Sequence, residues 1–303
     1  MDEPFQEGAQ ASESQLRAVA SGPLASQHTE RPETVGQLVQ GLSALFPPSD
    51  AEPWDRTGLS VGDASATLRG VATALDPTVD AIRRAQAAGA NVLLTHHPAY
   101  LEPPAPIGPR ASGANAAGQA VYEAAVRGVA LANYHTALDV SAAAQGMLPG
   151  MLSLERTGVL EPLARDARLG YGQVCVPRAS DGALTLEALA LRCTAVFGRA
   201  PRMWGDPDMP VETVATWTGS AGPAADLCVE QGIDVLVCGE VKYHTALDAA
   251  SAGLALIELG HDVSELPFAA VLAEAAASLG VPRESITCLA QDRNWSNPES
   301  RRV

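Results

Sequence analysis

Imidazoles and carboxylates recur in this chain at spacings that suit metal binding. His96 and His97 are adjacent, His135 stands four residues before Asp139, and His261 stands four residues before Glu265. Where a strand ends and a helical turn begins, residues i and i+4 share one face. Each His-x-x-x-acid pair therefore converges on one point. His96 and His97 follow the apolar run Val92-Leu93-Leu94-Thr95 and precede Pro98, which stops a sheet ladder. Five of the six histidines (His96, His97, His135, His244 and His261) fall at strand tips or just beyond. That is where α/β sheets place ligands. Histidines used only for packing would not gather there, so a shared metal site is the expectation.

Such a site needs regular strands to deliver it. Thr34 is suited to cap a helix through about Phe46, with Val35, Leu38, Leu42 and Leu45 on one face. Trp54 to Asp63, with two glycines, reads as a turn between elements. Strands are expected at 70–76, 91–95 and 129–134, with helices between them at 77–88, where Pro77 suits the first turn, and 114–127. Residues 101–113, rich in Pro and Gly, form a loop. Residues 140–210 break the rhythm, with a strand at 169–176, a helix at 185–197 and a turn-rich stretch at 201–210. The alternation then returns, with strands at 211–219, 234–240, 254–259 and about 286–290 and helices at 221–231, 242–252 and about 266–279. This alternation predicts an α/β fold with layered sheets.

The two regular stretches can be laid on each other. Gly89-Ala90-Asn91-Val92-Leu93-Leu94-Thr95-His96-His97 aligns with Gly232-Ile233-Asp234-Val235-Leu236-Val237-Cys238-Gly239-Glu240. One element later, His135-x-x-x-Asp139 aligns with His261-x-x-x-Glu265. The match predicts an internal duplication, with a tail at 1–33, a first module at 34–150 plus about 264–303, and a second module at 151–263. His28, in the tail, reads as solvated.

Composition narrows the function classes. The 303 residues include 35 acidic against 20 basic side chains, a formal charge of −15. Such a surface repels nucleic-acid backbone and anionic lipid, so neither is an expected partner. No apolar run reaches membrane-spanning length and no signal peptide is evident, so a cytoplasmic protein is expected. The five cysteines lack C-x-x-C spacing, which points away from a disulfide framework or zinc–thiolate site. Metal ligands must then be nitrogen and oxygen, a set that suits Zn, Fe, Mn, Co or Ni.

Four stretches, in order, resemble the signatures of the Nif-three-like dinuclear metal-centre family, also called GTP cyclohydrolase I type 2. They are Trp54-Asp55 with Gly58-Leu59-x-Val61-Gly62; Thr95-His96-His97-Pro98; His135-Thr136-x-x-Asp139; and Gly239-Glu240-x-x-Tyr243-His244 followed by Gly260-His261-x-x-x-Glu265. The resemblance covers roughly residues 34–290. It implies two intertwined α/β modules with mixed sheets and an internal structural duplication, assembled as a homo-oligomer, typically a hexamer. It also implies that His96, His97, Asp139, His261 and Glu265 are metal ligands, that His135 ligates or lies beside the metals, and that Glu240 and His244 line the site. Some members carry an inserted domain, for which 140–210 leaves no room. The chain departs from the pattern at Arg56-Thr57, at Cys238 and at Asp262, none of which is a ligand position.

More candidate ligands are present than a closed tetrahedral centre takes, so two divalent ions are expected rather than one. Water between two cations ionises near neutral pH. The expected reaction is hydrolysis by metal-bound hydroxide of a nucleotide-like or other small substrate. Glu240 or His244 is the candidate proton shuttle, and Glu240 equally suits the role of orienting a ligand imidazole. The alternative is a non-catalytic metal-handling or regulatory protein using the same ligands.

Overall fold

The computed structural model describes residues 31–291 together with Asn294 and Trp295. The expected N-terminal tail through residue 30, with His28, lies outside the described residues.

In chain order the strands are β1 (Gly58–Val61), β2 (Val71–Ala74), β3 (Val92–Thr95), β4 (Ala130–Asn133), β5 (Leu154–Leu163), β6 (Asp166–Pro177), β7 (Arg202–Trp204), β8 (Val214–Ser220), β9 (Val235–Glu240), β10 (Ala255–Glu258) and β11 (Ile286–Cys288). They form two mixed sheets in an α/β fold. The five-stranded sheet has the order β1-β4-β3-β2-β11, with β1 antiparallel to β4 and the other pairings parallel. The six-stranded sheet has the order β5-β6-β8-β9-β10-β7, with β8, β9 and β10 parallel and the outer pairings antiparallel. The chain divides into two compact units, one built from Ala20–Gln145 and Leu266–Gln291, the other around Gly146–Glu265.

In the first unit, Leu93, Leu131, Ile82 and Ala124 pack in one buried cluster. All four residues of β2, β3 and β4 are buried. A strand buried on both faces reads as a continuous apolar run, which is what 92–94 shows. The helix Val35–Leu45 begins at a capping box, with the Thr34 hydroxyl accepting from Gln37 N–H and the Gln37 amide oxygen accepting from Thr34 N–H. The helix Val79–Ala87 starts later than expected. Thr78, not Pro77, is its boundary, because the Thr78 hydroxyl accepts from Ala81 N–H and caps the first turn.

In the second unit, Leu236, Leu256, Trp217 and Cys228 belong to one buried cluster. Helix Leu186–Phe197 is capped by Thr185 and stopped by Gly198, and helix Gly222–Gln231 is stopped by Gly232 at φ +67°.

Three stretches differ from expectation. Trp54 to Asp63 is not only a turn, since it contains edge strand β1. Gly62 (φ +120°) makes the approach possible, because a Cβ there would lie 2.6 Å from the Ala130 Cβ. The irregular 140–210 region holds a long β5–β6 hairpin, of which only the second strand was expected. β5 exposes half of its residues and buries only Leu154 and Leu160, so it lacks the apolar run that marks a buried strand. The turn-rich 201–210 stretch holds the short edge strand β7, antiparallel to β10. Among the described residues no helix is long and apolar enough to cross a membrane.

Candidate metal centre

In the first unit the site begins where β3 and β4 end side by side. Thr95 pairs with Asn133, and Tyr134 N–H donates to the Thr95 carbonyl at 3.1 Å. The next residues are therefore delivered together: His96 and His97 from one strand, His135 from the other.

Each ring is held by a different device. His96 is fully buried, its ring centroid 4.4 Å from that of Phe268. Its Nδ1 lies 3.1 Å from the Tyr134 carbonyl oxygen. A carbonyl only accepts, so the proton belongs on Nδ1. Its Nε2 lies 3.7 Å from Asp139 Oδ1. Asp139 ends the single helical turn Thr136–Asp139, where its N–H donates to the His135 carbonyl.

His97 Nδ1 is 2.7 Å from Asp76 Oδ1 at the end of β2. His135 Nδ1 is 3.4 Å from Asp55 Oδ1, and its ring meets Trp54 edge-on. The Asp55 carboxylate also accepts from Thr136 N–H at 3.0 Å and the Thr136 hydroxyl at 2.6 Å. Burial alone would raise the Asp55 carboxyl. The nearby His135 ring and the hydrogen bonds from Thr136 outweigh it and hold the group well below the usual carboxylate range.

The three rings form a compact trio, with centroid separations of 5.1 Å (His96–His97), 5.0 Å (His96–His135) and 5.6 Å (His97–His135). Each offers a ring nitrogen within 4.8 Å of the other two. With each Nδ1 facing an oxygen, Nε2 is the atom left for a cation.

In the second unit β10 runs through Leu259 and Gly260 into the short helix His261–Glu265. His261 lies between two carboxylates, with Nδ1 3.0 Å from Glu240 Oε1 and Nε2 3.1 Å from Glu265 Oε2. Glu240 ends β9, and Glu265 is reached by the i,i+4 spacing. Gly219, in β8, makes room for the buried carboxylate: a Cβ there would fall 2.2 Å from Glu265 Oε1. Ser264 Oγ accepts from Gly219 N–H at 2.9 Å and donates to the His261 carbonyl at 2.8 Å, tying the helix to β8. Asp262, beside His261, is locked by a nearly buried Arg199 through contacts of 2.8 and 3.0 Å. Arg199 also stacks on Trp295 at 3.9 Å.

His244 is exposed on the helix Tyr243–Ser251, its ring edge-on to Tyr243. Among the described residues, the groups with ligand spacing draw on His96, His97, His135, Asp139, His261 and Glu265, and not on Glu240 or His244.

The donor set fits divalent ions of the borderline class, with imidazole nitrogens and carboxylate oxygens and no thiolate. Burial pushes the thiols of Cys175, Cys193 and Cys228 up to about 12, so they stay protonated at neutral pH.

Sequence reasoning passed over Asp76 and Gly219. Asp76 lies just past the end of β2 and Gly219 near the end of β8, strands adjacent in their sheets to β3 and β9. An acid or a glycine at a neighbouring strand tip was the available signal.

A sequence profile of the family described as Duf34/NIF3 (NGG1p interacting factor 3) matches residues 33–290. The chain is 30% identical over 243 residues to a Streptomyces coelicolor protein named GTP cyclohydrolase 1 type 2 homolog, covering 77% of this chain and 82% of that one. A Clostridium acetobutylicum protein of the same name is 26% identical over 79% of this chain and 88% of its own. Among solved structures, a Bacillus cereus protein related to NIF3 superposes with a TM-score of 0.77 at 19% identity, covering 88% of this chain and 98% of that one. A Staphylococcus aureus protein gives 0.76 at 22% identity, covering 86% and 97%. At these identities the structural matches speak to the fold.

Proposed function

The chain belongs to the Duf34/NIF3 family, and on that premise we propose that it is a metal-dependent hydrolase. It would act on a nucleotide-like or other small substrate, as the name GTP cyclohydrolase 1 type 2 homolog suggests for its relatives. Its clusters of His, Asp and Glu suit the dinuclear centre of the family. The observation that carries the reading is the trio His96, His97 and His135, with ring nitrogens within 4.8 Å of one another and each Nδ1 facing an oxygen.

We assign His96, His97, His135 and Asp139 from one unit, and His261 and Glu265 from the other, as ligands of two divalent ions. Zn, Fe, Mn, Co or Ni all suit this donor set. When bound, the ions would acidify water and polarise a carbonyl or phosphoryl oxygen of the substrate. The chain's own residues do the rest. Tyr134 O, Asp76, Asp55 and Glu240 fix the rings, and burial of His96 excludes water from one side. Glu240's contact with His261 Nδ1 supports the orienting role. Proton transfer is assigned to His244 or to Glu240 itself, both of which are exposed.

The two units are further proposed to be duplicated modules. In each, parallel strands end in matched polar tips, His96-His97 against Glu240 and His135-x-x-x-Asp139 against His261-x-x-x-Glu265. By the same resemblance the protein would be a homo-oligomer, a hexamer, acting in the cytoplasm, where free buried cysteines persist.

The test is turnover. Metal-stripped protein is reloaded with each divalent ion and offered GTP, other nucleotides and phosphoesters. Metal-restored hydrolysis that is absent in His97→Ala and Glu265→Ala is the expected result. No turnover across the panel, with ready transfer of metal to an apo-acceptor, would favour the metal-handling alternative.

A further inference from the structure

Among the imidazoles of the first unit, His97 is the least secured by packing. His96 has no exposed side chain and lies against Phe268. His97 is 23% exposed, so its ring must be fixed by hydrogen bonding. Its Nδ1 acceptor, Asp76, is itself 25% exposed, so burial alone does not fix its carboxylate.

Gln291, from a distant part of the sequence, hydrogen-bonds to that carboxylate. It follows β11, which pairs in parallel with β2, so it arrives beside the β2 tip. Its amide oxygen lies 3.2 Å from both Leu75 N and Asp76 N. Backbone N–H groups only donate, so the oxygen must face them and the NH₂ must face Asp76. The NH₂ donates to Asp76 Oδ2, leaving Oδ1 to accept from His97. His97 N–H also donates to the Leu75 carbonyl at 3.0 Å. One glutamine thus holds the Leu75–Asp76 backbone and the Asp76 carboxylate. The carboxylate in turn sets which nitrogen of His97 carries the proton.

The other rings need no such helper. His96 is served by a main-chain carbonyl, and the acceptor of His135 is braced by its sequence neighbour Thr136.

We infer that Asp76 and Gln291 are positioning residues for His97, acting as a relay that presents Nε2 to a metal ion; the assignment rests on the metal-centre reading above. It makes the β11 end of the chain part of the machinery that tunes the centre, although no ligand comes from it. Outer hydrogen-bond partners of ligand histidines typically govern metal affinity by about 10–100-fold.

The experiment uses the full-length protein. In the metal-free wild type, nitrogen–proton correlation NMR of the imidazoles should show His97 in the Nδ1–H tautomer. Asp76→Asn and Gln291→Ala should each weaken zinc binding, read by chelator competition, by about 10–100-fold. Gln291→Ala should add nothing in the His97→Ala background, because the relay has no ring left to orient. Gln291→Glu, which sets carboxylate against carboxylate, should weaken binding more than Gln291→Ala. An Nε2–H tautomer in the wild type, undiminished zinc affinity in a folded Gln291→Ala, or full additivity with His97→Ala would overturn the assignment. If Gln291→Ala does not fold, the wild-type tautomer decides. A wild type that takes up no zinc removes the metal-centre reading and this assignment with it. Uptake by the wild type with variants that match it removes the assignment alone.

Discussion

The two units hold their candidate ligands in opposite ways. The unit of Ala20–Gln145 presents three imidazoles and one carboxylate at the tips of β3 and β4, with His96 and His97 hydrogen-bonded to an oxygen at Nδ1 and His135 Nδ1 facing Asp55 at 3.4 Å. The unit of Gly146–Glu265 presents one imidazole between two carboxylates, and glycines supply the room. The first set is rich in nitrogen, the second in oxygen and negative charge. Imidazole selects borderline transition metals, whereas carboxylate contributes charge and tolerates harder ions. In each unit a strand runs into a short helical turn, Thr136–Asp139 in one and His261–Glu265 in the other, and the chemistry at the two turns differs. The nitrogen-rich set should favour borderline transition metals, and the oxygen-rich set should tolerate harder ions.

The largest expected effect comes from removing a nitrogen ligand. His97→Ala should lower metal affinity by well over the ~100-fold upper range for outer-shell partners and abolish metal-dependent turnover. Calorimetry and steady-state rates would check both. If His97→Ala retained wild-type affinity, the nitrogen-rich set would not be a metal-binding set. Glu265→Gln keeps shape and removes charge. It should reduce affinity by about 10-fold or more, since a charged hydrogen-bond or ligand interaction is worth ~1.5–3 kcal/mol. The same calorimetry, run with Zn and Mn, should show a larger loss for the harder ion.

Gly219→Ala tests the space the second set needs. The residue has φ +61° and its Cβ would fall on the Glu265 carboxylate. Left-handed backbone costs an L-residue roughly 1–2 kcal/mol, so thermal unfolding should shift down by several degrees, and metal binding should fall with it. A variant with unchanged Tm and affinity would show that the second set is not tightly fitted. The smallest effect is expected from Asp55→Asn. The folded carboxyl lies below its ordinary value. The stability it contributes is therefore complete above its unfolded pKa of ~3.9 and is lost as pH falls towards the folded value. Asn should blunt that loss in acid-unfolding curves below about pH 4 while leaving neutral-pH stability lower.

Much of this is legible in the sequence alone. The buried runs at 92–94 and 235–238 declare themselves because strands covered on both faces read as near-continuous apolar runs. The His-x-x-x-acid spacing is a local signal, and the helical turns Thr136–Asp139 and His261–Glu265 stand where it demanded them. What was not legible depends on registry between distant segments. Gln291 meets Asp76 only because β11 joins the edge at β2, a pairing no local pattern encodes. β5 escaped notice because a solvent-facing hairpin strand has no apolar signature. Gly219 gave no hint of its purpose, since the carboxylate it accommodates lies far along the chain.

The most direct test is elemental analysis of the purified, unstripped protein alongside His97→Ala and Glu265→Gln. Two divalent ions per wild-type chain, with loss in both variants, is the result this account predicts. A wild type that carries none, and acquires none on incubation with Zn, Fe, Mn, Co or Ni, would contradict it.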